Sequence, residues 1–500
     1  MTADAIIRTA STVPCRPWAR HVLPPAQWQA MAAALPAAPE LQLVAMWADV
    51  QSVHALFRDT QAGAFLPASV PAAAGYAALS PHRPAAAWFE RAIRDLWGHE
   101  AEGAADTRPW LDHGAWPEAP PLGARPLPRP PGHVPPAFRE PPGTGHDQVP
   151  LGPLPPDIGD AGQFRAFARG EAVLRLESRL GYLHRGIPAL MRGKSPRAAS
   201  RFAARLAGAA TVAHGLAFAR AAELASDAAA PPRAIALRGA LAEAERAAIH
   251  LADIDALCRA AGAPLAAALC QRHREALLQA SEAAFGHRLL MDVVVPGGLA
   301  TDIAPEGPAA LRAAATALGR DLPDLAALCR GLMARLDGIA RVPAALAARI
   351  APGGPPGRAM ATPATAPDLR RVPGYRPYQD LNVALATESA GDAAARLAVR
   401  LAELRESCRL LGTLLADLPA GPVVATLPLV SGEGIGWAEG PRGDAWAWLR
   451  LEGGQIAAAF LRDPAWLHLP LLEAAMEGTD LSDFAIAQAS FDLALPGMDL

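Results

Sequence analysis

Between residues 115 and 160 lies a stretch that no regular helix can absorb. The run WPEAPPLGARPLPRPPGHVPPAFREPPGTG spans 116–145. Each proline removes a backbone donor and clashes with the preceding turn, so this segment reads as an extended, polyproline-like linker or wrapping arm. A proline-motif ligand for a partner domain is the other reading. The linker splits the chain into a front block, 20–114, and a long remainder, 161–500. In the front block, LQLVAMWADV (41–50) has strand character. PAAAWFERAIRDLWG (84–98) places Trp88, Phe89, Ala92, Ile93, Asp95 and Leu96 at helical spacing, which predicts a small α+β domain.

From 161 onward long amphipathic patterns dominate: 236–261, 264–285 and 394–418 run without internal proline, and a Gly/Pro break falls at 352–357. After 421 short strand-like runs appear, as in AWAWLRLEGGQIAAAFLR (445–462). The expected fold class is therefore α+β: the small N-terminal domain, the proline-rich linker, then a mainly α-helical bundle core carrying a small β-rich appendix. Alanine-rich sequence favours helix but buries little area per residue.

Charge excludes one class of partner. With 46 Lys and Arg against 49 Asp and Glu, the net charge is −3 and no long run of one sign occurs. Nucleic-acid binding normally needs a basic patch or stripe, so none is expected. The most apolar stretch, 410–430, is broken by Asp417, Pro419, Pro422 and Pro428. It falls short of the roughly 20 apolar residues that a spanning helix requires, and the N-terminus has no signal-peptide core. Cys15, Cys258, Cys270, Cys329 and Cys408 form no CxxC pair and read as free thiols, buried or half-buried. No GxGxxG follows a strand, so no NAD site is expected.

Several motifs carry a resemblance. Residues 176–223 contain Gly181, Leu183, His184, Arg185 and Gly186 in a GxLHRG arrangement. On the 236–261 helix Glu243, Arg246 and His250 stand in an ExxRxxxHL pattern. Phe285-Gly286-His287-Arg288 and Pro296-Gly297-Gly298 follow, and Gly440-Pro441-Arg442-Gly443, Arg462-Asp463-Pro464 and Trp466-Leu467 close the chain. Together they resemble the large subunits of membrane-bound energy-converting nickel–iron hydrogenases of formate-hydrogenlyase type, and the quinone-site subunit of respiratory complex I. Residues 90–111 resemble the small accessory subunit of complex I, fused here to the same chain.

The resemblance implies four metal-ligand cysteines, and all four positions differ. An RICGxC motif is replaced by Arg205-Leu206-Ala207-Gly208-Ala209-Ala210, so both cysteine positions, 207 and 210, are alanine. The C-terminal CxxC positions are Leu493 and Pro496. A nickel–iron centre needs soft thiolate donors, and hydrocarbon side chains offer none. Ala204 also stands where those hydrogenases usually carry a glutamate. The quinone contacts implied by complex I are altered as well: its histidine position is Pro155, after Gly152-Pro153-Leu154, and its tyrosine position is Gly208. His184 or His214 could substitute as a donor.

The resemblance thus implies a subunit of a membrane-associated respiratory complex, coupling electron transfer to ion translocation without a nickel–iron centre. No cofactor is expected on the chain itself, other than a quinone if the vacated pocket takes one. Iron–sulfur clusters are expected on a small ferredoxin-like partner subunit. Antiporter-like membrane subunits would hold the chain on the cytoplasmic face of the cell membrane. Two alternatives stay open: a reductase of quinone or another small acceptor, and a non-catalytic scaffold. Residues for the pocket are His184, Arg185, Arg205, His214, Glu243, Arg246, His250 and Arg442. Glu243, Arg246 and His250 share one helix face, where they can form either a buried ion-pair network or a proton relay.

Overall fold

The computed structural model describes residues 1–500 apart from 73–74, 115, 117–118, 124–136, 154–159 and 364. Half of the proline-rich run 116–145, and Pro155, therefore lie outside the described residues.

The front block builds a five-stranded sheet from β1 (Ser11–Val13), β2 (Arg20–Val22), β3 (Leu41–Ala48), β4 (Ser52–Asp59) and β5 (Ala64–Pro71), ordered β1-β2-β5-β4-β3. Only β2 and β5 run parallel. Helix α1 (Ala86–Trp97) packs on β3. Gly98 ends it in the left-handed region (φ 77°), a conformation glycine adopts without Cβ strain. Asp95 turns inward and accepts from the amides of Trp110 and Leu111, at 2.7 and 2.8 Å, which folds the following loop back over the helix.

Residues 161 onward do not begin as helix. Strands β6 (Asp147–Leu151), β7 (Gln163–Arg169) and β8 (Ala172–Arg179) form an antiparallel sheet ordered β8-β7-β6. Part of the segment expected as linker is thus an edge strand, and Pro150 is accommodated there, since an edge position can spare a donor. Helix α2 (Pro196–Ala204) and helix α3 (Thr211–Ala225) follow. Four long helices then close a bundle: α4 (Pro232–Ala260), α5 (Pro264–Phe285), α6 (Gly307–Arg330) and α7 (Ala393–Leu414). Each packs on the next, and α7 returns to α4. Proline at the start of α4, α5 and α6 costs nothing there, because the first amides of a helix lack intrahelical acceptors anyway.

The three C-terminal strands, β9 (Gly432–Glu439), β10 (Asp444–Glu452) and β11 (Gln455–Arg462), are not an appendix. They sit at the centre, between α3 and the front sheet. The sequence accounts for this. Gly432, Gly434 and Gly436 alternate along one face of β9, and Ala217, Ala221 and Ala225 recur every fourth residue on α3. A Cβ on Gly436 would come within 2.1 Å of the Ala217 carbonyl oxygen, so the helix backbone lies directly on the strand. The opposite face meets the front sheet through aromatic rings: Trp18 stacks on Trp437 (5.0 Å) and Trp47 on Phe460 (5.5 Å). Arg20 holds Glu433 at 3.0 and 2.7 Å, and Arg450 pairs with Asp49. One continuous apolar core runs from Ala3 to Leu500. Helices α8 (Ala465–Met476), α9 (Phe484–Phe491) and α10 (Leu495–Asp499) close the chain.

No single helix among the described residues is long and apolar enough to cross a membrane. Pro196–Ala204 and Gly208–Ala225 reach that composition only jointly, across a 113° bend. All five cysteines are free; Cys15, Cys258, Cys270 and Cys329 are buried and Cys408 half-buried.

Candidate functional site

Tertiary structure brings the two substituted ligand segments together at the C-terminus. Arg185 is the clamp. Its guanidinium donates to the carbonyls of Arg205 and Leu206 (both 2.7 Å) and of Pro496 (3.3 Å), tying the 205–207 turn to the tail. The loop around it cradles the last residues. Asp499 accepts from the amides of Gly181 and Leu183 (2.8 and 3.0 Å), and the amides of Arg185 and Ile187 donate to the Leu500 carbonyl. His184 Nδ1 donates to the Asp499 carbonyl at 2.6 Å; burial pulls its pKa below the usual histidine value. Burial also pushes the Asp499 carboxyl up, to about 6.

At the four substituted positions the side chains are hydrocarbon. Ala207, Ala210 and Leu493 are buried, and Pro496 sits in α10. They carry no donor atom and do not fit a thiolate-held metal pair. The cavity bordering Gly208 measures about 20 Å³, room for about one water molecule. Glu245, from α4, lies along this small cavity and accepts from the amides of Val212 and Ala213 (2.6 and 3.0 Å), capping α3; burial raises it to about 7.

The remaining candidates divide. Arg205 is not with the others: it forms a two-pronged, half-exposed pair with Asp292. His214 is fully buried, and its Nε2 meets Asp463 at 2.8 Å. Glu243, Arg246, His250 and Arg442 belong to one charged network buried between α4, α7, β9 and the 358–380 segment. Arg246 donates to the carbonyls of Glu439 and Gly440 (2.6 and 2.8 Å) and pairs with Glu243 at 3.3 Å. Glu243 also accepts from Tyr378 (2.6 Å), Ser407 (2.7 Å) and Arg370 (3.3 Å). Burial alone would raise the Glu243 carboxyl, but Arg246, Arg370 and the two hydroxyls outweigh it and hold it below the ordinary glutamate value.

One turn on, His250 Nε2 meets Glu403 at 2.7 Å, while its Nδ1 is buried with no partner. Burial lowers its pKa more than Glu403 raises it. Glu403 takes its second oxygen's bond from Arg358 (2.5 Å), which also pairs with Glu439 (2.8 Å) and Asp368 (3.4 Å). Burial, and then the neighbouring Asp368, push the Glu439 carboxyl up to about 7. At the other end Arg442 donates to Asp253 and Asp492, at 2.8 and 2.6 Å. Burial raises Asp492 well above its ordinary range, whereas Arg442 holds Asp253 below despite burial. The two carboxyls share Arg442, beside Leu493.

Glu403, Asp253, Arg358, Arg370, Glu439 and Asp492 were missed by sequence reasoning. A partial signal was present. Arg396, Arg400 and Glu403 lie three to four residues apart on a leucine-rich helix, which places charge on the buried side.

Comparison with known proteins agrees with this architecture. Residues 261–432 match the family described as respiratory-chain NADH dehydrogenase, 49 Kd subunit. Formate hydrogenlyase subunit 5 of Escherichia coli (strain K12) is 27% identical over 432 residues, covering 83% of this chain and 75% of that one. Membrane-bound hydrogenase subunit alpha of Pyrococcus furiosus is 28% identical over 70% of this chain and 87% of its own. An NADH-quinone oxidoreductase component of Dehalococcoides mccartyi is 27% identical over 70% of this chain and 97% of its own. Among solved structures, the membrane-bound sulfane sulfur reductase, an archaeal respiratory membrane complex, superposes with a TM-score of 0.66 at 23% identity, covering 72% of this chain and all of that one. Over most of its length this chain is similar to subunits of membrane-bound hydrogenases and of NADH-quinone oxidoreductases, and residues 261–432 match the domain of the 49 Kd subunit.

Proposed function

We propose that this chain is a peripheral subunit of a membrane-associated respiratory complex, in which it couples electron transfer to ion translocation without a nickel–iron centre of its own. It docks on a small iron–sulfur, ferredoxin-like subunit and on antiporter-like membrane subunits, at the cytoplasmic face. One observation carries the reading. The segments where thiolates would converge present only Ala207, Ala210, Leu493 and Pro496, while next to them charged and titratable side chains are paired with one another in the core. Burying that many charges is expensive and is weak as a source of stability. A charge-responsive role gives the network a reason to exist.

The chemistry follows from the contacts. A change of charge beside Arg442 acts on Asp253 and Asp492, the two carboxyls that it bridges. Asp253 is also bound by Arg400 (3.3 Å), and it lies one helical turn from His250. His250, Glu403, Arg358 and Glu439 continue the chain of contacts to a carboxyl that titrates near neutral pH. Quinone reduction has less support: the cavity bordering Gly208 is far smaller than a quinone ring, and His184 and His214 each spend a ring nitrogen on a protein partner.

The test is metal analysis of the purified complex together with proton translocation by an Asp253→Asn variant. The expected results are nickel far below stoichiometry, and electron transfer retained with translocation lost. Stoichiometric nickel held between the 205–211 turn and the tail would overturn the proposal.

A further inference from the structure

A large cleft lies away from the vacated ligand positions. It is a cleft of about 820 Å³ between the front sheet and the helical part. One wall is the end of β3 and β4, the other the 341–351 segment with the loops around 360 and 390. That volume falls within the range of small-molecule sites.

Its floor has an unusual residue. Arg58 lies on β4, next to the edge strand β3 and directly opposite its Gln42, and the two are part-exposed in largely buried strands. The Arg58 Nε is buried with no hydrogen-bond partner, and no carboxylate among the described residues reaches ion-pair distance of the guanidinium. The nearest acids are already engaged. Asp444 binds Arg462 (2.6 Å) and Trp446 (2.7 Å), and Glu439 binds Arg358 (2.8 Å) and the Leu369 amide (2.9 Å). A half-buried guanidinium without a counter-charge is costly unless an anion pairs with it.

The lining of the cleft agrees in sign. Among the described residues no Asp or Glu lines it. Arg341 stands on the opposite wall, half-exposed and paired at 3.3 Å with Asp392, and Thr60, Thr365 and Ser389 add hydroxyls. Between these polar groups lie Met360 and the alanines of 344–351, an apolar surface for the body of a ligand.

We propose that this cleft binds a small organic anion, its carboxylate or phosphate on Arg58 and its apolar part against the 344–351 segment. The ligand bridges the front sheet and the helical part, and so ties together two regions of the chain. This proposal does not depend on the function assigned to the buried network.

The test is calorimetric titration of the full chain with inorganic phosphate, adenosine monophosphate and citrate. At least one is expected to bind, and an organic anion more tightly than inorganic phosphate. Binding of adenosine monophosphate with phosphate identifies a phosphate ligand; binding of citrate alone identifies a carboxylate. Arg58→Gln is expected to weaken the binding about ten- to a hundredfold, the range for one charge-assisted hydrogen-bonded contact. Ala347→Trp, which fills the cleft from the other wall, is expected to abolish it and serves independently of Arg58. No binding of any of the three at millimolar concentration, or binding that survives both substitutions, overturns the proposal.

Discussion

Two neighbouring regions meet the same demand, the burial of polar backbone and charge, in opposite ways. Around the tail, hydrocarbon side chains fill the centre and one arginine, Arg185, satisfies three carbonyls from outside. In the bundle, Glu243, Arg246, His250, Arg358, Glu403 and Glu439 are buried with their charges matched inside. The tail region can lose a polar contact to water, because Arg185 is partly exposed. The network cannot, since its members are shut away from solvent. Loss of a partner should therefore cost far more in the second region than in the first.

The largest effect is expected from Arg358→Met. It leaves Glu403, Glu439 and Asp368 facing one another without their shared cation. Breaking a buried pair in this way costs about 3–5 kcal/mol, readable as a shift in the denaturant midpoint. A cost near zero would erase the contrast. Arg185→Ala comes next. Losing charge-assisted bonds to three carbonyls at a half-exposed site is expected to cost about 1–3 kcal/mol. It should also make the C-terminus the first site of proteolysis, and unchanged cleavage would show that the tail is held by other contacts.

A third experiment uses pH. The folded-state value of Glu439, about 7, is raised above that of an unfolded glutamate. The native state thus holds a proton that the unfolded state releases. Its contribution to stability is present at low pH and is lost as pH rises through about 7. Urea titrations at pH 5 and pH 8 should show stability falling by on the order of 1 kcal/mol from this group, and Glu439→Gln should flatten that slope. The smallest effect belongs to Arg205→Ala. Its pair with Asp292 is half-exposed, so a change within about 0.5 kcal/mol is expected. A larger cost would mean that the 205–210 turn depends on the pair.

The helices of the bundle were legible because each carries its own period. The ranges 236–261, 264–285 and 394–418 match α4, α5 and α7 closely. The β-rich C-terminal runs were legible as strands but not as the centre of the molecule. Gly432, Gly434 and Gly436 read as turn or bulge residues until the alanine face of α3 is laid against them. At the site, Glu243, Arg246 and His250 were found because they lie on one face of one helix. The partner of His250, Glu403, comes from 153 residues away, and two partners of Glu243, Ser407 and Tyr378, from 164 and 135; no local pattern joins them.

Sequence by itself determined the local facts: the long helices near 236–261, 264–285 and 394–418, the strand character after 421, and that the side chains at 207, 210, 493 and 496 can donate nothing to a metal. These follow from covalent structure and short-range periodicity. Tertiary structure alone decided which charges share a buried neighbourhood, which carboxyls keep a proton, and that Arg58 is left with unmade hydrogen bonds at the floor of a cleft. Such properties depend on distance and on the exclusion of water, and both arise only when segments remote in the chain pack against each other.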